Sequence, residues 1–184
     1  MKKVLLRVLL FITLIMGLGY GYLKYRYEKQ EMPHIVFIQN NWFANEYEYG
    51  SFIDNRGNIY EFKVPGENRT GEKEKYKYLE KEYLNSLAES KVVRTVELDK
   101  LEKYYSIVKK ASTFRIKLTE THPGLDVYLG YHEWCAFRYS LLGKLQAVTL
   151  YGTGDTEVIN KSRYAKRAAK LVQEMLPEIP RPEQ

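Results

Sequence analysis

Residues 4–23 form the stretch that most constrains this chain: they are almost wholly apolar, interrupted only by Arg7 near the start and the mild Thr13. As a helix, twenty residues span roughly 30 Å, the thickness of a bilayer's hydrocarbon core. Basic residues flank the stretch, which argues against a helix buried in a soluble domain. The expectation is a membrane segment with a domain tethered behind it.

Two readings of the amino-terminal region compete. In one, Lys2, Lys3 and Arg7 are the basic start of a secretory signal cleaved near Gly17 or Gly19. In the other, which is the expectation here, the segment is an uncleaved signal-anchor. Apolarity continues past those glycines, and Lys24, Tyr25, Arg26 and Tyr27 then interleave rings and cations. Tyrosine favours the headgroup layer because its ring is apolar and its hydroxyl wet, while Lys and Arg extend their charges towards water. These four residues are therefore assigned to the membrane interface. Basic residues are nearly balanced across the segment, with Lys24, Arg26 and Lys29 on the far side. The short basic start favours an inside amino terminus and an extracytoplasmic domain. Membrane lipid is thus one expected partner, through residues 4–23.

Charge then excludes a class of function. The formal net charge is +6, and Lys2, Lys3, Arg7, Lys24 and Arg26 account for all but about +1 of it. The basicity belongs to the membrane flanks, so a nucleic-acid partner is not expected. Hydrophobic residues at 45% and charged residues at 28% describe a globular body. The only cysteine, Cys135, leaves no intramolecular disulfide, so the fold must rest on its core.

The organisation reads as an anchor over residues 1–27, a stalk at 28–33, one domain over 34–176 and a Pro-rich extended tail at 177–184. A short strand is expected at 35–38, broken by Gln39-Asn40-Asn41. Residues 47–53 and 58–64 flank Asp54-Asn55-Arg56-Gly57, the clearest hairpin pattern in the chain. Apolar residues at helical spacing mark helices at 73–90 and 98–110, the second extending a stripe from Leu98 through Leu101, Tyr105 and Val108, with Thr95 or Asp99 as its cap. Phe114, Ile116 and Leu118 alternate with Arg115 and Lys117, the pattern of a half-buried strand. Strands are expected at 126–139 and 145–151 around Leu142-Gly143-Lys144, and Gly152-Thr153-Gly154-Asp155 reads as a strand-to-helix connection. The last helix starts at the N-cap Ser162, and turns Ala165, Ala168, Ala169, Val172, Met175 and Leu176 inward. Hairpins outnumber helical crossovers, so the fold class is α+β: a mainly antiparallel sheet with about three helices packed on it.

Catalytic patterns fail one by one. His132-Glu133-Trp134-Cys135 begins like a zinc-protease motif, but Ala136 stands where the second His must be. A Cys135 nucleophile would need a base, and His132, three residues away in a strand, faces the opposite side. That leaves Cys135 in the core and His132 on the surface. The glycines near Asp155 lack the Lys-Ser/Thr ending of a phosphate loop. No metal site and no cofactor is assigned. The triplets beginning at Asn68 and Asn160 fit the glycosylation pattern and carry no weight without a known host.

Tyrosine is the one compositional excess, seventeen in all. Its rings bury large area at low entropic cost and are enriched at binding surfaces. Tyr47, Tyr49 and Tyr60 in the hairpin are the candidate binding residues. No stretch identifies a family; the layout resembles that of small bacterial envelope proteins, which implies neither activity nor residues. The expected function is membrane-tethered protein binding without catalysis, an immunity- or inhibitor-type role being one form of it. The alternatives are an envelope hydrolase using Cys135, His132 or carboxylates such as Glu133 and Asp155, and a cell-wall or glycan binder.

Overall fold

The computed structural model describes residues 2–43, 47–65, 91–120, 131–154 and 156–176. The expected helix at 73–90, residues 126–130, Asp155, Asn68 and the tail lie outside these. The chain divides into two compact units: Met1–Glu31 with Tyr139–Gln146, and Met32–Arg138 with Ala147–Gln184.

In the first unit, helix α1 runs Lys2–Glu28. Over Leu6–Glu28 it is long and apolar enough to cross a membrane, and none of its span is buried. The helix continues through the Lys24–Tyr27 belt without a break, one residue into the expected stalk. Its end is marked by looser bonds from Lys29 N–H to the Tyr25 carbonyl and from Gln30 N–H to the Tyr27 carbonyl, at 3.2 and 3.3 Å. This unit also holds the tip of a later hairpin, residues 139–146.

The second unit is α+β. Strands β1 (Ile35–Phe43), β2 (Tyr47–Asp54), β3 (Asn58–Pro65), β4 (Val92–Thr95), β5 (Ile116–Glu120), β6 (Tyr131–Tyr139), β7 (Leu145–Thr153) and β8 (Thr156–Asn160) form one sheet in the order β4-β3-β2-β1-β6-β7-β8-β5. The registers of β1 with β2 and β6, β3 with β2 and β4, and β8 with β5 and β7 are all antiparallel. Two helices, α2 (Leu98–Val108) and α3 (Arg163–Met175), pack with the sheet.

Register explains the core. Phe37 opposes Ile53 on one side and Ala136 on the other, and Ile53 opposes Ile59. These residues, with Trp134, Val148 and Leu150, share one cluster with Leu101, Tyr104 and Val108 of α2 and Ala165, Ala168 and Val172 of α3. Fully burying a side chain the size of Phe37 or Ile53 contributes about 1.5–3 kcal/mol. The alternate residues Ile38, Phe52, Phe62, Cys135 and Phe137 are buried too, so the central strands are covered on both faces. The alanines of α3 remove side-chain bulk where the helix meets the core, as its spacing predicts.

Several expectations change. Strand β1 does not stop at Gln39-Asn40-Asn41 but runs through them, because the sheet gives these side chains places: Gln39 and Asn40 are buried, and Asn41 Nδ2 donates to the Tyr49 carbonyl at 3.2 Å. The Gly152-Thr153-Gly154 segment is no strand-to-helix connection; β7 continues to Thr153 and turns into β8, which pairs back onto β7. Leu98 is not on the buried stripe of α2; Tyr104 fills that role, and Glu97 is the N-cap in place of Thr95 or Asp99. Ser162 is the N-cap of α3, but its Oγ bonds no helix N–H; it accepts from Ser112 N–H at 3.4 Å.

Candidate functional site

The three hairpin tyrosines do not form one surface. In the β2–β3 register Tyr60 opposes Phe52, and Tyr49 opposes Lys63. Positions 49 and 52 differ by an odd number, so the two tyrosines lie on opposite faces. Tyr60 stacks on Phe52 at 4.6 Å between ring centres and donates to Asp54 Oδ2 at 3.3 Å. Burial first, then the Asp54 carboxylate, raises its hydroxyl above the usual tyrosine value. Tyr60 is thus a brace of its own turn. Tyr47 opposes Phe43 and Pro65 in the backbone register, and its side chain lies outside what the structure describes. Tyr49 is exposed.

Tyr49 belongs to a cross-strand row. His132 of β6 opposes Asn41 of β1, which opposes Tyr49 of β2, which opposes Lys63 of β3. The Asn41 amide nitrogen donates to the Tyr49 carbonyl, which turns Oδ1 towards His132 Nδ1, its hydrogen-bond partner. An amide oxygen only accepts, so Nδ1 carries the hydrogen. The imidazole also meets Trp134 and Tyr151 edge-on, at 6.1 and 6.5 Å. Burial lowers its pKa below the ordinary histidine value. The expectation that His132 is a surface residue is corrected: it is half-buried and held within the sheet.

Cys135 is buried, as expected, on the other face. Its Sγ lies 3.8 Å from Thr149 Oγ1, and that hydroxyl donates to Glu133 Oε1 at 3.3 Å. A hydroxyl has one hydrogen, so the thiol is the donor to Thr149. The sulfur is thus held within the sheet by Thr149 and Glu133. Imidazole and thiol stand on opposite faces, as the strand alternation predicts. Among the described residues, no three His, Cys, Asp or Glu side chains gather where they could hold a metal.

Asn160 is a structural hub. Its amide donates to the carbonyls of Ser112 and Thr149 at 2.8 and 2.9 Å, and its Oδ1 accepts from Ser162 N–H at 3.0 Å. A side chain so enclosed is not open to glycosylation.

Exposed apolar area lies elsewhere, on the sheet edge formed by β5. The expected half-buried strand is a strand, but its apolar face is open: Phe114 just before it is 92% exposed, Leu118 66% and Ile116 40%. Beside them Arg115 and Lys117 are also exposed. Alternating cations are a common marker of an edge strand, and that signal was present in the sequence. The residues expected at a membrane interface sit on the last turns of α1, with Lys24, Tyr25 and Arg26 exposed and Tyr27 half-buried.

No protein family matches this chain, and neither the curated proteins nor the solved structures contain a significant match to it.

Proposed function

We propose that this chain is a membrane-tethered protein whose extracytoplasmic domain binds another protein and performs no chemistry, with an immunity- or inhibitor-type role as its form. The observation that carries the reading is the open face of β5. Three apolar side chains at alternate positions beside an edge strand, flanked by cations, suit an extended partner segment adding to the sheet. Main-chain bonds would supply affinity and the Phe114, Ile116 and Leu118 positions would supply selectivity. Tyr49, in the row with His132 and Asn41, is the one tyrosine of the hairpin set that is both described and exposed.

The test is photo-crosslinking in the host membrane, with a photoreactive residue placed at 118 or at 49. A discrete protein adduct at 118, lost on Phe114→Ser while the melting temperature holds, supports the edge. An adduct confined to 49 moves the surface to the tyrosine row, and no adduct at either position removes the binding reading. Labelling of an Arg56→Cys variant by a membrane-impermeant maleimide in intact cells tests which side the domain occupies.

A further inference from the structure

The tip of the β6–β7 hairpin carries two exposed leucines, Leu141 at 42% and Leu142 at 75%. Solvent-facing turns ordinarily carry Gly, Asn, Asp and Ser, because those residues meet the turn's backbone needs and remain hydrated. Here the backbone needs are met without them: Gly143 takes the left-handed conformation at φ 77°, Gly143 N–H bonds the Ser140 carbonyl at 2.9 Å, and Ser140 Oγ accepts from Lys144 N–H at 3.1 Å. The leucines therefore do nothing for the turn itself.

Their location supplies the missing role. The tip belongs to the same compact unit as α1. Gln30, two residues past the helix end, reaches the Ser140 carbonyl through Nε2 at 3.5 Å. Leu23, Tyr27 and Gln30 are the partly covered residues over 21–30: Leu23 and Tyr27 lie four apart on one face of α1, and Gln30 follows just past its end. Gln30 lies about 10 Å along the axis beyond Leu23, a few ångströms past a headgroup layer about 5–7 Å deep if Leu23 ends the hydrocarbon span. Lys144, also exposed, stands in the same turn.

We infer that Leu141, Leu142 and Lys144 form a second membrane contact, in which the hairpin tip inserts its leucines among the lipid headgroups beside the emerging α1. The lysine meets anionic headgroups while the leucines leave water, the division of labour seen in interfacial anchors. Such a contact fixes the tip against the bilayer at two points, the helix and the turn. The inference rests on α1 being a membrane anchor.

The full-length protein, in a Cys135→Ala background, is given one of three single cysteines: Leu14→Cys, Leu142→Cys or Arg56→Cys. Each is labelled with an environment-sensitive fluorophore and reconstituted in vesicles of phosphatidylcholine and phosphatidylglycerol. Nitroxide lipids are then introduced at the headgroup or deep in the chain. The expected result is deep-probe quenching at 14, headgroup-probe quenching at 142 and neither at 56. If 14 is quenched and 142 is not, the tip faces protein or water: the proposal is overturned and the anchor stands. If 14 is not quenched, the anchor reading itself fails and the tip proposal falls with it.

Discussion

The turns at Asp54–Asn58 and Ser140–Lys144 share a backbone device and use their side chains differently. Each closes on a glycine in the left-handed region, Gly57 at φ 84° and Gly143 at φ 77°. The first turn is bonded inward. Asp54 Oδ1 accepts from the N–H groups of Arg56 and Asn58 at 2.9 and 2.8 Å, and Oδ2 accepts from Asn58 Nδ2 and the Tyr60 hydroxyl at 2.9 and 3.3 Å. The Gly57 carbonyl accepts from Val96 N–H at 2.7 Å, tying the turn to the segment that leads into α2. The second turn has no such side-chain network: apart from its own bonds it takes one from Gln30 Nε2 to the Ser140 carbonyl at 3.5 Å, and its two leucines are exposed. A turn that satisfies its polar groups internally is a structural fastening; one that leaves apolar side chains in the open is available for contact.

That comparison is tested most sharply at the glycines. A Cβ on Gly57 would meet the Val96 carbonyl oxygen at 2.5 Å, whereas the nearest atom to one on Gly143 is Gln30 Nε2 at 3.8 Å. Both substitutions carry the left-handed penalty of about 1–2 kcal/mol. Only Gly57→Ala adds a backbone clash, so it should cost about 3 kcal/mol in total and Gly143→Ala about 1 kcal/mol. Chemical denaturation of the two variants measures the difference; equal losses would mean that the turns are fastened alike. Next in size, Asp54→Ala removes the acceptor of four hydrogen bonds and should cost about 2 kcal/mol, discounted because the residue is only half-buried. A loss below about 0.5 kcal/mol, the range of an ordinary surface change, would show that solvent replaces the carboxylate.

The smallest effect concerns the strand that leads to the second turn. Burial holds the His132 imidazole below its ordinary pKa of 6.5, so the unfolded chain binds this proton more readily than the folded one. Its contribution is fully present above about pH 6.5 and is lost as the pH falls through the folded-state pKa. Melting temperatures of the parent and His132→Asn, taken between pH 7.5 and pH 5, should show the shallower decline in the variant. Parallel curves would place the imidazole in water.

Legibility in the sequence followed the range of the forces involved. The hairpin at Asp54–Gly57 was readable because its turn residues and flanking strands are contiguous. The inner face of α3 was readable because its periodicity is local, and Val172 is indeed fully buried. The edge strand was half readable: alternation at 114–118 predicted a strand and could not say whether its apolar face had a neighbour. Strand β8 was missed because Gly152 and Gly154 before it resemble a loop, and residues 156–160 become a strand only by pairing with β5 and β7.

By itself, the sequence determined the long apolar helix, the first hairpin, the face of the last helix and the α+β class, since each depends on residues within a few turns or one hairpin of each other. Only the tertiary structure decided that Gln39-Asn40-Asn41 belongs inside a strand, that Tyr60 braces its turn while Tyr49 faces out, that Asn160 joins three segments, and that the Ser140–Lys144 turn meets Gln30 just past the end of α1. Those outcomes depend on which distant groups supply a hydrogen-bond partner or remove water, and a polar or apolar residue does not carry its partner's identity in its own neighbourhood.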